Sequence, residues 1–231
     1  MAYKPIIYSS QNTGYFGGIK CCIYGGAGAG KTYLLSTAPN PVILNAESGV
    51  VTLKPFNLPI IDIRSEEDLY GVYGWVAGSE EAKQFETICL DSMSDIAEKI
   101  LDSEKKKNAD QRKAYGNTQD KVLAYTRMFR DLPRFNFVAT YKMERLQDES
   151  GRLLYFPTVP STKLAQSIPY MYDLVFPLIK CTAEDKSEYR VLQTQRDDMY
   201  EAKARTNLLA KYEPPNLTYI FNKILGKEES I

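Results

Sequence analysis

Histidine is absent from the 231 residues, which removes histidine-based nucleophile systems, imidazole general bases and imidazole metal ligands. Any chemistry must rest on carboxylates, lysine, arginine, hydroxyls and a bound cation. Charge of one sign is not in excess either: Lys plus Arg and Asp plus Glu both number 29. No global field therefore advertises nucleic acid or an anionic surface, and a nucleic-acid contact has to be a local patch. Cysteine is scarce. Cys21, Cys22, Cys89 and Cys181 show no C-x-x-C spacing, so reduced, buried thiols are expected rather than a zinc site or a disulfide. No run of 18 apolar residues occurs, and Met1 to Ser10 has no apolar core, so a soluble protein of the cytoplasm, with no membrane partner, is expected.

What is present is organised around Gly25-Gly26-Ala27-Gly28-Ala29-Gly30-Lys31-Thr32. The spacing is G-x-x-x-x-G-K-[ST], with an apolar run before it and a helical pattern after it, which predicts a phosphate-binding loop. Glycines allow backbone N–H groups to curl around a β-phosphate, Lys31 reaches β and γ oxygens, and the Thr32 hydroxyl ligates Mg²⁺. ATP and Mg²⁺ are the implied ligands, and all eight residues from Gly25 to Thr32 are candidate nucleotide contacts.

Around the loop, apolar strands alternate with helical patterns. Strands are expected at Ile19–Tyr24, Val42–Leu44, Pro59–Ile63, Thr87–Leu90, Phe137–Ala139 and Asp173–Leu178, with an exposed-face strand at Tyr189–Thr194. Helices are expected from Lys31, from Ser65 to about Ala77, after Ser92, over Val122–Phe129, over Lys163–Ile168 and over Leu217–Leu225. The 44% hydrophobic content suits one large core. The reading is an α/β P-loop domain over residues 19–231, with a mostly parallel central sheet and helices on both faces, preceded by an irregular arm over residues 1–18. The charged stretch Glu104–Gly116 reads as solvated surface or, alternatively, a basic patch for nucleic acid. Asp148–Arg152 reads as a hairpin tip.

Two carboxylates fall where strands deliver them beside the loop. Asp91 ends an apolar strand in the manner of a Walker B segment and would hold Mg²⁺ through water. Glu47 follows the second strand and is a candidate for activating the attacking water; the alternative is a cap or a solvated turn residue. Thr140 is either a γ-phosphate sensor or simply a β-favouring residue at a strand end.

Several segments together resemble the RecA-like phage ATPases of the Sak single-strand-annealing class, within the phage P-loop ATP-binding proteins. Besides Gly25–Thr32, they are Ala46-Glu47-Ser48-Gly49, Leu90-Asp91-Ser92, Phe129-Arg130-Asp131-Leu132-Pro133, Ile168-Pro169-Tyr170 with Asp173, Leu192-Gln193-Thr194 and Glu201-Ala202-Lys203-Ala204-Arg205. The resemblance implies a RecA-type core, ATP hydrolysis that is slow and stimulated by DNA, self-assembly, and phage recombination on single-stranded DNA in the host cytoplasm, with a single-strand DNA-binding protein as a further partner. It casts Glu47 as the catalytic glutamate. Lys203 and Arg205 would reach a nucleotide on the next subunit, although Ala204 and Thr206-Asn207 depart from the family's Lys-Asp-Arg-Ser-Gly ending. It also places DNA-contacting loops after the Phe137 strand, making Lys142, Arg145 and Arg152 candidate phosphate contacts and Tyr141, Tyr155 and Phe156 candidate base-stacking residues. The rival readings are an ATP-dependent loader of replication proteins and a P-loop kinase.

Overall fold

Strand β1, Lys20–Tyr24, is buried along its whole length, with Cys22 and Tyr24 in one hydrophobic cluster and Cys21 and Ile23 in another. Successive side chains point to opposite faces, so a strand covered on both sides reads as an unbroken apolar run. The computed structural model describes residues 17–47, 49–148 and 150–227; the arm expected over residues 1–18 therefore lies almost wholly outside the described residues.

The strands following β1 are β2 (Pro41–Asn45), β3 (Ile60–Asp62), β4 (Thr87–Asp91), β5 (Asn136–Gln147), β6 (Leu153–Thr158), β7 (Leu174–Thr182), β8 (Glu188–Gln193), β9 (Lys203–Ala204) and β10 (Tyr212–Glu213). They form one sheet in the order β10-β8-β7-β1-β5-β4-β2-β3, with β6 on β5 and β9 on β7. The block β7-β1-β5-β4-β2-β3 is parallel throughout, while β8, β10, β6 and β9 join in antiparallel pairings. The phosphate-loop strand β1 and the Asp91 strand β4 are thus separated by β5. This is the mostly parallel sheet, with helices between its strands, that the alternating pattern implies.

Each helix starts on a recognisable local signal. Helix α1 (Lys31–Leu35) follows Gly30 directly. In α2 (Glu66–Gly78), Ser65 and Asp68 form a reciprocal capping box. Ser92 caps α3 (Met93–Lys107) and Asp110 caps α4 (Gln111–Arg130). Ser161 caps α5 (Thr162–Ser167), and Asn216 caps α6 (Leu217–Leu225), which ends on Gly226 in the left-handed region. Among the described residues no helix is long and apolar enough to cross a membrane.

Four segments differ from expectation or add to it. The charged stretch Glu104–Gly116, read as solvated surface or a basic patch, is helix end and helix start: Lys105, Lys106 and Lys107 are exposed in the last turn of α3, where cations complement the helix dipole. Glu104 is buried and accepts from Asn117 Nδ2 (2.7 Å) and Lys121 Nζ (3.0 Å), so it ties α3 to α4. Strand β5 continues well past Ala139: its first half lies between β1 and β4, and from Lys142 it pairs only with β6 in a hairpin. Strand β7 runs on to Thr182 because β8 pairs along its outer half. A 3-10 turn spans Val50–Phe56, where the sequence pattern implies no element.

Candidate nucleotide-binding site

The loop between β1 and α1 holds its turn with Gly28 at φ +72° and Gly30 at φ +98°, a backbone region that side chains with a Cβ resist. A Cβ on Gly30 would also lie 3.2 Å from Arg190 Nε. The Lys31 ammonium donates to the carbonyls of Gly25 (2.9 Å) and Gly26 (3.1 Å), arching over the cradle. Partial burial lowers its pKa, an effect offset by the nearby carboxylates of Glu47 and Asp91. A cavity of about 590 Å³ opens here, lined among others by Gly28, Lys31, Thr32, Tyr33, Glu47 and Arg190.

Thr32, Asp91 and Thr140 form a chain of hydroxyl and carboxylate. Thr32 Oγ1 donates to Asp91 Oδ2 at 2.6 Å, and Thr140 Oγ1 donates to Asp91 Oδ1. Asp91 and Thr140 are both buried, at 1% and 0% exposure, so Thr32 separates the carboxylate from the cavity. Thr140, read as a γ-phosphate sensor or a β-favouring strand-end residue, has its hydroxyl engaged by Asp91 and does not line the cavity. A Thr140→Val protein, nearly equal in shape, leaves Oδ1 without this donor. It is expected to lose about 1–3 kcal/mol of stability, read as a lower urea midpoint at unchanged slope; an unchanged midpoint would rule the contact out.

The donor set suits Mg²⁺, a hard cation that takes oxygen ligands. Thr32 Oγ1 would hold it directly and Asp91 through water, while the cradle around Lys31 takes the phosphates. Bound there, Mg²⁺ would supply charge neutralisation at the phosphates.

Glu47 sits just beyond β2, where its own N–H and that of Ala46 donate to the Asp91 carbonyl (3.1 and 2.6 Å). That backbone tie, not a helix cap, explains its position, and it lines the same cavity as Lys31. Partial burial raises its pKa; the neighbouring Asp91 and Asp95 add to the rise and Lys31 opposes it. A carboxylate whose affinity for a proton has been raised beside a phosphate site is equipped to take a proton from water.

The other predicted residues do not join this constellation within one chain. Lys203 opens the short strand β9 and Arg205 follows it; β9 pairs with β7 at Val175 and Leu174, towards the sheet end opposite the phosphate loop. Lys203 Nζ donates to the Pro169 carbonyl at 2.5 Å, and Arg205 Nη1 pairs with Asp173 Oδ1 at 3.0 Å. Action on a nucleotide by either therefore requires a second copy of the chain.

On the β5–β6 hairpin, Tyr141 and Phe156 are corrections: both are buried, Tyr141 completely, with its hydroxyl 2.8 Å from that of Tyr172. Neither presents a ring face for stacking. Lys142 is held by Glu98 (2.7 Å) and Asp95 (3.1 Å). Arg145 and Arg152 are exposed; Arg152 lies 3.7 Å from Asp198, and Arg145 stands over the Tyr155 ring at 5.9 Å.

One residue of the site carries no local signal in the sequence. Arg190, in the middle of β8, donates from Nε to the Ala29 carbonyl at 2.7 Å, across 161 positions. Its stretch reads only as an exposed-face strand, and only the β7–β8 pairing brings it to the loop.

The phosphate loop, the two carboxylates and the mostly parallel sheet are the parts of a P-loop ATPase domain. Residues 17–206 match the model of the family described as an AAA domain, and the chain belongs to that family. No curated protein matches the sequence. Among solved structures, a KaiC-like protein from the hyperthermophilic archaeon Pyrococcus horikoshii OT3 aligns with a TM-score of 0.46 at 14% identity, covering 77% of this chain and 79% of that one.

Proposed function

We propose that this protein binds Mg·ATP at the Gly25–Thr32 loop, hydrolyses it slowly with Glu47 as general base, and uses the nucleotide to control its assembly on single-stranded DNA. The observation that carries the ATPase half is the convergence of Lys31, Thr32 and Glu47 on one cavity, with Asp91 bonded to Thr32 behind it. Glu47 takes a proton from water, Lys31 balances charge at the terminal phosphates, and the loop N–H groups orient them.

The DNA half is supported by the resemblance to the Sak class and by two exposed cations, Arg145 and Arg152, on the β5–β6 hairpin. That hairpin is anchored to the nucleotide strand: Tyr24, the last residue of β1, donates its hydroxyl to the carbonyls of Tyr155 (2.9 Å) and Glu201 (2.6 Å). A movement of the loop would thus be felt at the base of the hairpin. Self-assembly is supported by the location of Lys203 and Arg205 away from their own chain's site.

Fluorescence anisotropy with a labelled single-stranded oligonucleotide tests the DNA reading. Binding is expected at low salt, stronger with ATP than without, and weakening steeply as salt rises because the contacts are to phosphates. An Arg145→Ala/Arg152→Ala protein should reduce both the affinity and the salt slope. No binding at low salt would reject the recombination reading and favour an ATP-dependent loader of replication proteins.

A further inference from the structure

The sheet order divides the cavity into two ends. Glu47 follows β2 and Asp91 ends β4, on one side of β1; Leu178 and Arg190 belong to β7 and β8, on the other side, and Pro215 follows β10 beyond them. All but Asp91 line the same cavity. Its first end is built for charge and hydrolysis. The second carries two apolar walls, Leu178 and Pro215, and one flat cation, Arg190.

We propose that Arg190, with Pro215 and Leu178, seats the nucleobase of the bound triphosphate; this rests on the ATP-binding reading above. The nucleobase is the only flat part of such a ligand, and with the phosphates cradled at Lys31 and the Glu47 end taken up by the hydrolytic groups it is directed to the side away from Glu47. A guanidinium stacks on aromatic faces and a proline ring covers an apolar one. Arg190 is pre-positioned for this role. Its Nε is fixed on the Ala29 carbonyl at 2.7 Å, and among the described residues its two terminal nitrogens make no hydrogen bond or ion pair. Its tight packing over Gly30, where a Cβ would come within 3.2 Å of Nε, keeps it at the cavity wall. Arg190 therefore recognises the ligand's base rather than its phosphates.

Calorimetry of the full chain with Mg²⁺ and either ATP or inorganic tripolyphosphate separates the two ends. The Arg190→Ala protein is expected to lose about tenfold more affinity for ATP than for tripolyphosphate, as for a lost cation–aromatic stack. Arg190→Lys keeps the charge without the plane and is expected to behave like the alanine variant. Circular dichroism and the retained tripolyphosphate binding confirm that both variants fold. Equal losses for the two ligands would show that Arg190 acts on the phosphates or through the loop, and would overturn the proposal. Unchanged ATP affinity, or full rescue by lysine, would overturn it as well. Failure of the unaltered chain to bind either ligand would instead overturn the ATPase reading and this proposal with it.

Discussion

Replacing Glu47 by glutamine is expected to cut ATP hydrolysis by at least about a hundredfold, the usual scale for removing a general base, and to leave ATP affinity within about threefold. Glutamine keeps the shape and hydrogen-bonding reach of the side chain but cannot take a proton. The backbone ties of Ala46 and Glu47 to the Asp91 carbonyl do not depend on the side chain, so the site's geometry survives the change. The pH dependence has a definite sign. Burial, with Asp91 and Asp95 nearby, raises the Glu47 pKa, and only the deprotonated form acts as a base. Hydrolysis should therefore fall as pH drops, beginning above the ordinary glutamate value of about 4.3. The residual rate of the glutamine protein should lack that acidic limb. A rate within a few-fold of the unaltered chain would return Glu47 to the role of a turn residue.

Replacing Lys31 by alanine is expected to weaken ATP binding by about a hundredfold, which corresponds to one strong charged hydrogen-bonding group lost from a phosphate site. Among the described residues the ammonium bonds only to the carbonyls of its own loop, Gly25 and Gly26. Its loss leaves no hydrogen-bond donor stranded, and the burial that lowers its pKa is relieved. Thermal unfolding should accordingly stay close to that of the unaltered chain while binding collapses. That contrast separates a binding role from a folding role. ATP affinity unaffected by the substitution would mean that the loop does not hold the triphosphate.

Features encoded in neighbouring residues are legible in the sequence, and features encoded in strand pairing are not. Gly25–Thr32, the Ser65–Asp68 capping box and the strands that end at Asn45 and Asp91 each follow from a short stretch, and the chain folds there as the pattern implies. Tyr141 shows the limit. It follows Thr140 in β5, and adjacent strand residues face opposite ways, so only the register with β1 and β4 decides that Tyr141 turns into the core. The two-part nature of β5 is equally hidden, because its change from parallel to antiparallel partners leaves no mark in composition. Arg190 reaches the loop through the register of β7 with β8, Lys180 opposite Arg190, which no spacing rule captures. The basic run near Lys105 reads as solvated surface from composition alone, and Lys105, Lys106 and Lys107 are exposed, whereas the burial of the neighbouring Glu104 against Asn117 and Lys121 depends on how α3 packs on α4.

The central claim, an ATPase site built from Lys31, Thr32, Glu47 and Asp91, is tested most directly by steady-state ATP turnover with Mg²⁺. Turnover and ATP binding should be measured together for the unaltered chain and the Lys31→Ala and Glu47→Gln proteins, with and without single-stranded DNA. The account predicts slow turnover by the unaltered chain, binding without turnover for Glu47→Gln, and neither for Lys31→Ala. Turnover that persists undiminished in both variants, or an unaltered chain that binds no ATP under any of these conditions, would contradict it.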